Sequence, residues 1–171
     1  MNKNDYIYLD HAATTPMREV AFEAYKKTEI DAYANSSGGH ALSRKAKNIL
    51  EDSREFIASC FSAAPNEITF TSGGTEADNW IIKTPYIDKD TTAELTTTQI
   101  EHEAVLASAE NIHSKGFNVN FVSCDGEGIT NIDEFRKSIN SNTLIASVMY
   151  ANNETGVVQP IQEMSKIVKD I

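Results

Sequence analysis

The chain has 171 residues, 40% hydrophobic and 23% charged, with a formal net charge of −10. That composition suits one soluble globular domain or part of a larger one, and the acidic balance argues against nucleic acid as a partner, because neutralising phosphates needs clustered Lys and Arg. No apolar run approaches the ~20 residues of a membrane span, so no membrane partner is expected either.

The opening Met1-Asn2-Lys3-Asn4-Asp5-Tyr6 lacks the apolar run of a secretory signal, from which a cytoplasmic location is expected. A short strand is predicted over residues 6–9. Pro16 then opens a helical stretch in which Val20, Ala21, Ala24, Tyr25 and Thr28 share a face. A longer helix follows the loop Asn35-Ser36-Ser37-Gly38-Gly39, and Leu42, Ala46, Ile49, Leu50, Phe56, Ile57, Cys60 and Phe61 recur along it at near-helical intervals. They imply one buried stripe, with Cys60 in a packing role. Neither Cys60 nor Cys124 has the spacing or the basic neighbour of a metal-binding or catalytic thiol.

From residue 67 the pattern becomes an alternation. Strands are predicted near 67–71, 94–98, 118–123 and 143–150, with helices near 75–82, 104–115 and 132–139. Strands separated by single helices form right-handed βαβ units and a mainly parallel sheet with flanking helices, an α/β fold. Ligands collect at the carboxyl ends of such strands. The first of those ends reads Ser72-Gly73-Gly74-Thr75. Two glycines permit positive φ and a close ligand approach, two hydroxyls offer donors, and a new helix presents free N–H groups. The turn is a candidate phosphate seat, although the same residues suit an ordinary strand-to-helix turn, and they match neither GxxxxGK[ST] nor GxGxxG. The last helix, over 160–171, puts Ile161, Met164, Ile167, Val168 and Ile171 on one face behind Pro160. Because a βαβ alternation would continue there, residues 1–171 are expected to be an N-terminal segment plus the first part of a domain interrupted at its C-terminal end.

Three motifs stand at predicted strand ends: Ser72-Gly73-Gly74-Thr75-Glu76, Glu101-His102-Glu103-Ala104-Val105-Leu106 and Asn152-Asn153-Glu154-Thr155-Gly156. With Tyr8-Leu9-Asp10-His11-Ala12-Ala13-Thr14-Thr15-Pro16, they closely resemble the cysteine desulfurases, pyridoxal-phosphate enzymes of the class V aminotransferase family. The resemblance implies the large domain of the fold type I, aspartate aminotransferase-like, PLP-dependent transferases, here incomplete. It assigns Gly74 and Thr75 to the phosphate of pyridoxal 5'-phosphate. His102 matches the histidine that stacks on the pyridine ring, and an imidazole can both lie flat on a ring and exchange protons near neutral pH. Asn153 matches the asparagine that hydrogen-bonds the phenolic oxygen. On residue chemistry alone, a histidine opening a helix reads as a cap and an Asn-Asn pair as a turn. His11, His40 and His113 carry no assigned role. Where the family usually reads Asn-Pro-Ser-Ser before a histidine, this chain has Asn35-Ser36-Ser37-Gly38-Gly39-His40.

The resemblance also implies L-cysteine as substrate, a sulfur acceptor or iron–sulfur scaffold protein as partner, and a homodimer. It places beyond Ile171 the lysine that holds the cofactor after a Ser-x-His pattern, the Asp on the pyridine nitrogen, the nucleophilic Cys and the carboxylate-binding Arg. The complete cofactor site therefore requires residues beyond Ile171, and no lysine in the chain has the Ser-x-His context. Alone, the chain is expected to be inactive, and marginal or self-associating because the 67–71 strand would lack a neighbour. A class V transaminase or selenocysteine lyase fragment, or a non-catalytic half that binds a complementary chain, are the alternative readings.

Overall fold

A computed structural model describes residues 7–90 and 92–171. They divide into two compact units, with the boundary between Phe70 and Thr71. In the first unit, helices α1 (Glu19–Asp31) and α2 (Ala41–Cys60) are followed by a 3-10 turn at Pro65–Glu67. His40 caps α2, its Nδ1 accepting from the Ser43 N–H at 3.3 Å. Gly38 is required there because a methyl group would overlap the Ser43 hydroxyl, which is fully buried.

Several expectations fail in this unit. Residues 7–9 form no strand, and Tyr6 lies outside the described residues. Helix α1 starts three residues after Pro16 and buries none of its residues; of the predicted face only Thr28 is half-buried, and Val20, Ala21, Ala24 and Tyr25 are exposed. The stripe on α2 is only partly realised: Leu42, Ala46, Ile49, Leu50 and Ile57 are half-buried, Phe56, Cys60 and Phe61 are exposed, and the buried residues of the helix, Ser43 and Ala58, lie outside the stripe. Helical periodicity specifies which residues share a face, but only a packed neighbour buries them. The 67–71 strand is absent for a related reason. Ile68 has extended backbone, at φ −102 and ψ 124, but it pairs with no strand among the described residues. Its carbonyl accepts from Arg54 Nη1 at 2.5 Å, and the Arg54 guanidinium lies 4.9 Å from the centre of the Phe70 ring.

The second unit realises the predicted alternation. Its elements are α3 (Gly74–Lys83), β1 (Glu94–Thr98), α4 (Glu103–Ser114), β2 (Asn118–Val122), α5 (Ile132–Ser138), β3 (Thr143–Ser147) and α6 (Ile161–Lys169). The strands form a parallel sheet in the order β2-β1-β3. Leu95 stands opposite Val119 and Ile145, with a register irregularity between Glu94 and Leu95 on the β3 side. Alternation along each strand sorts the core into two faces. Leu95, Val119, Phe121 and Ile145 pack with Ile82, Val105, Ala109 and Ile112 of α3 and α4. Val122, Ala146 and Val148 pack with Phe135 of α5 and with Met164 and Ile167 of α6. Each fully buried Leu, Ile, Val, Phe or Met among them contributes about 1.5–3 kcal/mol, so both faces hold the sheet.

Local chemistry fixes the helix limits. Asn131 caps α5 by accepting from the Glu134 N–H at 3.0 Å, while acidic residues in its first turn and basic ones in its last complement the helix dipole. Tyr86, buried beneath α3, donates its hydroxyl to the Glu94 carbonyl at 2.7 Å, and burial pushes its phenol up to about 12. The parallel arrangement brings the carboxyl ends of β1 and β3 to one edge of the sheet.

Candidate functional site

Two groups of sequence-predicted residues occupy this unit. Gly74 and Thr75 form the first turn of α3, where both are exposed. Neither Gly73 nor Gly74 adopts the left-handed conformation that the sequence suggested; Gly73 is extended, at φ 165 and ψ 179, and Gly74 is helical. What the glycines provide is open space, since a methyl group at either would meet nothing within 4 Å. The first N–H groups of a helix have no intrahelical partner, and no side chain caps those of α3. Ser72 is not a free donor, because both its N–H and its hydroxyl donate to Glu76 Oε2, each at 2.6 Å. Those bonds, the hydroxyl first, hold the Glu76 carboxyl below its ordinary range. The donors left free at this turn among the described residues are the backbone N–H groups and the Thr75 hydroxyl.

His102 and Asn153 line one cleft of about 450 Å³, together with Gln99, Glu101, Asn152 and Thr155 among others. His102 is the N-cap of α4, and its Nδ1 accepts from the Ala104 N–H at 3.1 Å. Capping and a ring-contact role are therefore compatible: the cap occupies Nδ1, and a neutral ring accepting there carries its proton on Nε2. The two asparagines divide their tasks. Asn152 is the turn residue, its Oδ1 accepting from the N–H groups of Glu154 and Thr155 at 2.9 Å each, and its Nδ2 donating to the Ile100 carbonyl at 3.0 Å. Gly156, at φ 76, closes this loop by donating its N–H to the Asn152 carbonyl at 2.9 Å. Asn153 is exposed, and among the described residues its side chain has no hydrogen-bond partner. Its amide is free for a ligand.

Glu101 received no role from the sequence. It is 8% exposed, and its Oε1 accepts from the Thr98 hydroxyl at 2.9 Å and the Met149 N–H at 2.8 Å. Burial pushes its carboxyl above the ordinary range, against the pull of those two bonds, and the Asp78 carboxylate of α3 adds to the rise. No local pattern in the sequence marked it, because the Met149 N–H that it accepts lies 48 residues away.

The sequence profile described as aminotransferase class-V matches residues 7–171. The chain belongs to the class-V aminotransferase family. It is 39% identical over 165 residues to a cysteine desulfurase IscS from Dictyoglomus turgidum, an alignment that covers 96% of this chain and 42% of that protein. The chain thus spans less than half the length of the curated relatives it matches. Among solved structures, a NIFS-like protein superimposes at a TM-score of 0.89 with 33% identity, covering 96% of this chain and 45% of the other. The structure described as SspA in complex with cysteine does so at 0.90 with 33% identity, covering 95% and 47%. The sheet with its flanking helices is accordingly part of the α/β fold of the cysteine desulfurases. Enzymes of this family depend on pyridoxal phosphate, and the residues present fit parts of that group: bare N–H groups beside open space suit its phosphate, and a free amide beside an imidazole suits its ring. Among the described residues no helix is long and apolar enough to cross a membrane.

Proposed function

We propose that this chain supplies the phosphate seat and two ring contacts of a cytoplasmic, homodimeric, pyridoxal-phosphate-dependent cysteine desulfurase. In this reading the assembled enzyme takes sulfur from L-cysteine, leaves alanine, and hands the sulfur as a persulfide to an acceptor or iron–sulfur scaffold protein. The supporting observation is a division of labour: Asn152 satisfies the turn and leaves the Asn153 amide unpartnered beside His102 on one cleft. The identity to a cysteine desulfurase supports the choice of reaction.

When bound, the cofactor withdraws electrons from the substrate carbon attached to nitrogen. The protein's part is to hold and orient. Thr75 would donate its hydroxyl, and Gly74 and its neighbours their N–H groups, to the phosphate, where the helix dipole also favours an anion. His102 would present its ring face to the pyridine and move protons at Nε2. Asn153 would donate from Nδ2 to the phenolic oxygen. The 171-residue polypeptide by itself would hold the cofactor without a covalent bond, because none of its lysines has the Ser-x-His context.

The test is titration of the chain with pyridoxal phosphate, followed by borohydride reduction, intact mass measurement and an assay for alanine from cysteine. Saturable binding without a unique lysine adduct or alanine is expected. A stoichiometric adduct on one lysine, or turnover, would overturn the assignment of the isolated chain as inactive. Absence of saturable binding would remove the seat.

A further inference from the structure

The cleft that carries His102 and Asn153 is built from two loops far apart in sequence, and two side chains stitch them together. Glu101 reaches across 48 residues to the Met149 N–H, and Asn152 reaches across 52 to the Ile100 carbonyl. Both bonds lie just past the carboxyl ends of β1 and β3, where the ladder has stopped. Met149 is two residues beyond β3, so its N–H needs an acceptor from elsewhere. The Thr98 hydroxyl is a second donor aimed at the same oxygen. A single acceptor on Glu101 thereby satisfies one donor at the end of β1 and one in the segment after β3, and a buried donor left unpaired is costly.

We propose that Glu101 is a positioning residue: its Oε1, shared between the Thr98 hydroxyl and the Met149 N–H, sets the separation of the two loops and so the placement of His102 and Asn153 on their common cleft. The residue adjoining Glu101 is His102, and the segment tied at Met149 leads within four residues to Asn153. Any slip of one loop past the other moves the imidazole relative to the amide. Sites held to within about 0.5 Å need such supporting bonds. Glu101 also lines the cleft, and its Oε1 alone is engaged among the described residues. A glutamine keeps that acceptor and turns its NH2 group to the cleft, whereas an alanine removes the acceptor.

The inference rests on reading His102 and Asn153 as cofactor contacts, and the test separates the two ideas by using the cofactor-free chain first. Hydrogen exchange at the Met149 amide, together with the His102 ring and Asn153 side-chain NMR resonances, is compared in Glu101→Gln, Glu101→Ala and Thr98→Val. Glu101→Ala is expected to lose at least tenfold in Met149 protection and to shift both sets of resonances. Glu101→Gln should match the unsubstituted chain, and Thr98→Val should fall between. Loss of stability alone would leave the resonances of the folded molecules in place. Unmoved resonances in Glu101→Ala, or equal disturbance in Glu101→Gln, would overturn the proposal. Should Glu101→Ala fail to fold, an unmoved Thr98→Val spectrum would overturn it instead. Cofactor titration comes second, with an expected tenfold rise in Kd for Glu101→Ala. If the unsubstituted chain binds no cofactor while the resonances behave as expected, the cofactor reading fails and the positioning role stands.

Discussion

The start of α3 and the cleft at the ends of β1 and β3 are built on different length scales. At α3 the bonds are local: Thr71 to the Gly73 carbonyl, Ser72 to Glu76 and Asn79 to the Thr75 carbonyl span two to four residues. At the cleft the decisive bonds span 48 and 52 residues. A local seat for an anion is a property of about ten residues and needs little from the rest of the fold. The cleft exists only once β1 and β3 have paired. Substitutions at α3 should therefore change ligand affinity with little effect on stability, whereas substitutions at the cleft should change both.

The sharpest way to break this contrast is Asn152→Ala, which removes an acceptor for two N–H groups and a donor to Ile100. A loss of roughly 1–2 kcal/mol in unfolding free energy is expected, chiefly from the part-buried bond to Ile100, since water can replace the acceptor for the exposed Glu154 and Thr155 N–H groups. It would be read from urea denaturation; a change below about 0.5 kcal/mol would mean that the stitch carries no load. Thr75→Ala is the counterpart. Its urea midpoint should stay put while the Kd for pyridoxal phosphate rises roughly ten- to a hundredfold, matching a charge-assisted hydrogen bond of about 1.5–3 kcal/mol. Unchanged cofactor affinity would sink the phosphate role of Thr75.

The same difference in length scale explains what the sequence made legible. Helices α3 to α6 and strands β1 to β3 were readable because each carries its periodicity within its own residues, and parallel strands joined by helices follow from their order. Gly74, Thr75, His102 and Asn153, the proposed cofactor contacts, were singled out by resemblance to the cysteine desulfurase motifs, at predicted strand ends where ligands gather. Glu101 and Asn152 were not, since their partners lie some fifty residues away and no local pattern announces them. The 67–71 segment shows the opposite failure. Its residues favour a strand, but a strand needs a neighbour's hydrogen bonds, and none is present among the described residues. Cys60 was placed inside by its spacing and is exposed, because spacing selects a face without supplying what covers it.

Gly74→Ala sharpens the local side of the comparison, because stability and binding should move in opposite directions. The position is helical and has no neighbour within 4 Å of an added methyl. Restricting the unfolded chain should then stabilise the protein by about 0.5 kcal/mol. The methyl would stand in the space that the proposed phosphate seat leaves open, so cofactor affinity should fall. A gain in stability with unchanged affinity would place the anion elsewhere.

The smallest effect concerns two glutamates, one in each region, whose carboxyls shift in opposite directions. Glu76 is held low by the Ser72 hydroxyl and N–H, so its contribution is present above the ordinary carboxylate pKa and is lost as pH falls through its lowered value. Glu101 is held high by burial, despite its bonds from Met149 and Thr98. Its contribution is fully present below the ordinary carboxylate pKa and is lost as pH rises through its raised value. Glu101→Gln cannot titrate and keeps the Oε1 acceptor. Glu76 is common to both proteins, so it cancels when their stabilities are subtracted. The stability of the Glu101 protein relative to the Gln variant should therefore decline from acid toward neutral pH, as measured by urea midpoints at successive pH values. A relative stability that rises with pH would mean that the two donors outweigh burial, and that the stitch at the cleft is held by charge.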